Sequence, residues 1–215
     1  MKCSVIIDAV VDAIQDESFE RADILAYINK AVDEIAAQYA LPELTVFGNI
    51  NVEGGKFLVA LPDNYLSNLF HAVNLTTGKE VDVMSELANF LLKFKALDKS
   101  DNVTHVCVHG RKLYYQGIPT STQVIRAFYT SRPEPFKENS EIEYIPAQLQ
   151  RDLLFNYACA ECFNLIEDGI DGTKVNQNKY LGFYTAALAK LSNFIEPRQA
   201  TPDFIPGDEE HERDI

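Results

Sequence analysis

A chain of 215 residues, 47% hydrophobic and 24% charged, is long enough to bury a substantial core and has the composition of an ordinary folded protein. Its formal charge of −13, with no basic cluster longer than Arg111-Lys112, argues against a protein that grips nucleic acid through its phosphates. No run of about 18 apolar residues occurs, so no membrane-spanning helix is expected.

The opening stretch MKCSVIIDAVVDAIQDESFE has one Lys and a short apolar run broken by Asp8 and Asp12, which reads as an amphipathic helix over about 3–15 rather than a signal peptide. Gln15-Asp16-Glu17-Ser18 breaks the pattern. A second helix, about Phe19 to Tyr39, carries Ile24, Ile28, Ala31, Val32 and Ile35 on one stripe and ends at Leu41-Pro42. The middle changes character. Phe57–Leu61 and Leu69–Thr76 look like strands, the second alternating loosely. Ser85 to Leu97 returns to helical spacing, with Ser85 as its expected cap. Val103–His109 and Lys112–Gln116 flank Gly110-Arg111 as a hairpin, and Gln123–Tyr129 gives another strand.

A polar connector, Thr130 to Glu143, leads to Pro146, which is expected to open a long helix reaching about Glu167. Asp168–Gly172 is a turn lacking the spacing of a calcium loop, and a last helix runs from about Thr173 to Ile195. Beyond Pro197 the chain becomes proline-rich and acidic, with Phe204-Ile205 as its one apolar anchor. It reads as an extended arm. The expected class is α+β: a helix pair over 1–45 forms one domain with a second pair over 146–196. They surround a β-rich middle (46–130) with one short helix, and an arm follows over 197–215.

Two places invite a chemical reading. Cys159 and Cys162 form a C-x-x-C pair, the spacing of zinc and thiol-redox sites. No second C-x-x-C or H-x-x-H accompanies it, and Cys159 falls about a dozen residues inside the helix, far from the N-terminal dipole that activates a thiol. Both cysteines lie in or beside the apolar arc of Leu154, Tyr157, Ala158 and Leu165, so packing is the expected role. In Val103–His109, a strand would put His105, Cys107 and His109 on one face, with alternate residues about 6.5 Å apart, a distance at which two side chains can chelate a metal. No acidic residue is evident to orient the imidazoles, so exposed polar histidines are the plain alternative. No G-x-S-x-G, P-loop or G-x-G-x-x-G occurs, and no carboxylate pair stands out. Four cysteines at irregular spacing do not make a secreted disulfide framework, so synthesis in a reducing cytosol is expected.

The 146–167 helix is apolar around most of its circumference and must be buried on several sides, inside the subunit or against a neighbour. An acidic, proline-rich arm with one apolar dipeptide suits docking on a partner.

The segment DAIQDESFERADILAYINKAVDEIAAQYALPEL resembles the N-terminal helix pair of tailed-bacteriophage head-to-tail adaptor (connector) proteins. A short helix and a QD break run into ILxYINxAxxEI and a Leu-Pro. The stretch VIRAFYTSRPEPFKENSEIEYIPAQLQRDLLFNYACAECF is similar to their later half, where a strand passes through a proline connector and an Ile-Pro into a long helix. The β-rich middle matches only in type. The resemblance implies a structural virion protein of the neck, without enzymatic activity or cofactor and made in the host cytoplasm. It implies a homo-dodecameric ring that joins the portal protein to tail or nozzle proteins and touches no membrane. A negative lumen would let DNA pass without sticking. It also implies an arm that reaches into the portal, with Pro202, Phe204, Ile205 and Pro206 as its contact residues. Another phage neck or tail-completion protein, and a metal or thiol enzyme using His105, Cys107 and His109, remain the alternatives.

Overall fold

The computed structural model describes residues 1–95, 101–168 and 174–195. Helical spacing of apolar residues builds α1 (Cys3–Ile14), whose buried stripe is Cys3, Ile6, Ile7, Val10 and Ile14. Gln15 ends it in a left-handed conformation (φ 50°), its N–H donating to the Val11 carbonyl. The second helix, α2 (Arg21–Gln38), starts two residues later than its pattern suggests. Its first turn is fixed at Glu20, whose N–H donates to Asp23 Oδ2 at 3.0 Å. The helix ends at Gln38, with Tyr39 already extended, a little before the expected stop at Leu41-Pro42, and Pro42–Leu44 form a separate 3-10 turn.

Seven strands follow among the described residues: β1 (Thr45–Val52), β2 (Leu58–Ala60), β3 (Tyr65–Asn74), β4 (Lys79–Met84), β5 (His105–His109), β6 (Lys112–Tyr115) and β7 (Gln123–Ser131). They form one sheet in the order β1-β7-β3-β4-β5-β6-β2, antiparallel except for the β4–β5 pair. Its two edge strands touch, so the sheet is curled on itself. The β5–β6 hairpin turns at Gly110 (φ 60°), as its sequence suggests. Strands β1 and β4 are additions to the expected set. The loose alternation of β3 has a physical cause. Asn68 takes a positive φ of 50° and the register against β7 slips between Ser67 and His71, so the buried positions run Tyr65 and Leu69 and then change parity to Ala72 and Asn74.

The short helix α3 (Leu87–Lys93) is flanked by Glu86, not capped by Ser85, and no side chain caps its N-terminus. Phe94 leaves helical geometry, and Leu97, where the helix was expected to end, lies outside the described residues. The long helix α4 (Gln150–Ile166) also starts later than Pro146. Pro146 opens a turn closed by Leu149 N–H on its carbonyl, and Gln150 Nε2 donates to the carbonyls of Ile142 and Ile145, both at 2.9 Å. These carbonyls are therefore satisfied without a helix. The last helix, α5 (Val175–Ile195), packs on α4. Thr173, Gly169–Gly172 of the expected turn, and the arm over 197–215 lie outside the described residues.

The architecture is α+β, with two buried clusters. One gathers α1, α2, α4 and α5 around residues such as Ile7, Ile28, Leu154 and Leu191. The other fills the curl of the sheet with Ile50, Ala72, Val106, Leu113, Tyr115 and Ile125. The connector between β7 and α4 is tied to the helices by Asn29. Its Nδ2 donates to the Phe136 carbonyl at 3.1 Å, and its Oδ1 accepts the Phe136 N–H at 2.7 Å.

Candidate interaction surfaces

Both residues of the C-x-x-C pair are fully buried in the helical core, Cys159 as completely as Cys162. Cys159 stands nine residues beyond Gln150, more than two turns from the start of α4. Burial pushes both thiols up to about 12, opposite to the shift that makes a reactive thiolate. All four cysteines are free and buried. Their role in this geometry is packing.

The His105–Cys107–His109 face exists as the strand pattern requires, with Val106 turned into the sheet core. Three features set it apart from a metal centre. His105 and His109 are four residues apart on an extended strand, about 13 Å, too far for one ion. Cys107 is buried beneath α3, its thiol raised by desolvation. His105 does have an acidic neighbour that the sequence did not reveal. Asp82 Oδ2 lies 3.1 Å from Nε2, because β4 pairs in parallel with β5 and puts Asp82 opposite His105. Lys93 Nζ lies 3.0 Å from the same nitrogen, and Phe94 packs at a tilt against the ring with centroids 4.7 Å apart. Burial, and then the Lys93 ammonium, hold His105 below its ordinary value against the opposing pull of Asp82. An ammonium at the ligating nitrogen repels a cation. Among the described residues, no group of three or more metal-ligating side chains occurs.

What the surface offers instead is exposed apolar area. On the outer face of the sheet, Phe47 of β1, Phe128 of β7, and Phe70 and His71 of β3 form a cluster. Phe128 lies 5.8 Å from Phe47, 6.4 Å from Phe70 and 5.3 Å from His71, ring to ring. Phe47 is 62% exposed and Phe70 56%, and Arg126 lies 5.2 Å over the Phe47 ring. The bulge at Asn68 turns Phe70 and His71 outward together. This cluster was not singled out from sequence. Its only local signal is the Phe47–Asn49–Asn51 alternation opposite Ile50 and Val52. Further exposed apolar side chains stand on the helices, Leu165 at the end of α4 and, on α5, Leu181, Phe183 and Phe194. Patches of this kind mark contacts with other proteins. The arm residues Pro202, Phe204, Ile205 and Pro206 lie outside the described residues.

Among curated proteins no match is found. A family model described as SU10 adaptor protein matches residues 1–204.

Proposed function

Because this chain belongs to the SU10 adaptor protein family, a phage head-to-tail adaptor family, we propose that it forms a homo-oligomeric ring joining the capsid portal to the tail in the virion neck. The observation that carries this reading is the match over nearly the whole chain, residues 1–204. The ring is a dodecamer, with portal protein on one side and tail or nozzle proteins on the other. The charge of −13 supports its role as a conduit, since a negative lumen repels the phosphate backbone and lets DNA pass without sticking. The acidic arm over 197–215 reaches into the portal, and Phe204-Ile205, flanked by Pro202 and Pro206, anchors it there.

The test is a mass measurement in solution with purified portal protein. The expected result is a complex carrying several copies of this chain per portal ring. Deleting residues 198–215 should weaken it at least tenfold, a change of about 1.4 kcal/mol. Absence of a complex contradicts the portal assignment. A complex that forms equally well without the arm contradicts the role given to Phe204 and Ile205. Cross-linking to tail proteins but not to portal would identify a tail-completion protein instead.

A further inference from the structure

Along α5 the sequence repeats Lys-x-x-x-Phe, first as Lys179/Phe183 and then as Lys190/Phe194. The repeats are eleven residues apart (190 − 179 and 194 − 183), which is three helical turns, so all four side chains and Ala186 rise in one stripe. Phe183 is 51% exposed and Phe194 54%, while Tyr184, Ala187 and Leu191 face α4 and the core. Of α1, α2, α4 and α5, only α5 has no Asp or Glu, in a chain whose net charge is −13. It presents an apolar ridge edged by Lys179 and by Lys190, the latter 3.4 Å from Asp152 of α4.

A groove of about 500 Å³ at another place on the helices has the complementary character. It lies where the α1–α2 turn meets the end of α4, lined by Asp16, Phe19, Asp23, Tyr27 and Leu165. Its form follows from the left-handed Gln15 that stops α1, and from Asp16 Oδ1, which accepts the Ser18 N–H at 2.8 Å and tightens the turn. Leu165 is 55% exposed at its edge. Carboxylates beside aromatic and aliphatic walls suit a cation beside an apolar side chain, and α5 carries that combination.

We propose that the α5 ridge of one copy packs into this groove of the next, with Phe183 against Leu165, Phe19 and Tyr27 and Lys179 facing Asp16 and Asp23. In this contact the ridge of each copy engages the groove of the next, so every added copy leaves one ridge and one groove free and the contact repeats toward a ring. The choice of a second copy as occupant rests on the ring-forming adaptor reading above, and the charge complementarity on this chain's own surface specifies where the copies meet.

Native mass spectrometry of the full chain, alone up to roughly 1 mM and mixed with purified portal, tests it using Phe183→Glu and Leu165→Glu. Both sites are exposed, so helicity by circular dichroism should match the parent. The parent should form assemblies larger than a dimer in at least one condition; a parent that stops at a dimer closes ridge and groove about a two-fold axis and overturns the head-to-tail contact. Each variant alone should lose self-association more than tenfold. Mixing the two should give a dimer and nothing larger, since only one intact ridge and one intact groove remain. The proposal is overturned if the parent shows no self-contact in either condition, if either variant assembles like the parent, or if the mixture rebuilds rings. It is also overturned if Phe183→Glu abolishes portal binding while self-association persists, because the ridge then belongs to the portal. A parent that multimerises through ridge and groove yet ignores portal would refute the adaptor reading and leave this contact standing. Portal-bound rings unaffected by either variant would do the reverse.

Discussion

Tyr157 of α4 donates its hydroxyl to Glu34 Oε1 of α2 at 2.7 Å, while Lys30 of α2 stands over the same ring and pairs with Glu161 of α4 at 3.2 Å. The two helices come from opposite halves of the chain, and this polar seam runs beside the buried cysteines. Tyr157→Phe keeps the ring and removes the donor, so it should lower stability by about 1 kcal/mol. Urea unfolding with an unchanged slope is the measurement. No loss would mean the seam contributes nothing beyond packing.

The same core predicts a loss of stability in alkali. Cys159 and Cys162 are raised from 9.0 to about 12 by burial, and Tyr157 and Tyr184 are raised above 10.0, again chiefly by burial. Above pH 9 the unfolded chain releases thiol protons that the folded chain retains, so the unfolded state binds fewer protons and stability falls as pH rises. The cysteine contribution is fully present below pH 9 and is lost as pH climbs toward 12. A Cys159→Ala/Cys162→Ala protein should lose less stability over that window than the parent. An equal slope would contradict the assignment.

That double replacement should itself cost about 2 kcal/mol through lost packing and remove no bound metal. Thermal unfolding and elemental analysis check the two halves. A stoichiometric metal in the parent that vanishes in the variant would overturn the packing role.

The Asn29 bridge to both polar groups of Phe136 fixes the connector on α2. Asn29→Ala leaves those two backbone groups without their partner, so a loss of about 2 kcal/mol is expected. Hydrogen exchange should rise at Phe136 in particular. Unchanged exchange there would show that the connector is held elsewhere.

For the His105–Cys107–His109 face, the prediction is metal well below one atom per chain in purified protein, and no change on His105→Ala/His109→Ala. Zinc or another metal at one per chain, lost in that variant, would revive the enzyme reading.

The helices and the burial of the C-x-x-C pair are legible because both rest on short-range periodicity. Ile24, Ile28 and Ile35 mark their own buried face, and so do Leu154, Ala158 and Cys162. The start of α4 was misplaced because Gln150, by bonding the carbonyls of Ile142 and Ile145, sustains an irregular lead-in that no local pattern reports. Strand β4 was hidden because Lys79, Glu80 and Asp82 are polar and Val81 alone is fully buried. Asp82 beside His105, and Phe47 beside Phe128, come from pairing between distant segments, and the bulge at Asn68 scrambles the alternation that would have placed Phe70. The interaction surfaces were therefore the least readable part of the chain. The Lys-x-x-x-Phe repeat on α5 could have been found from its spacing.

The central claim is an adaptor ring seated on the portal. Electron-microscope imaging of the protein mixed with purified portal tests it most directly. The prediction is a second ring stacked coaxially on one face of the portal, with an open lumen and density from the end of this chain reaching into it. Bare portal rings at saturating protein, or protein bound at scattered positions off the axis, would contradict it.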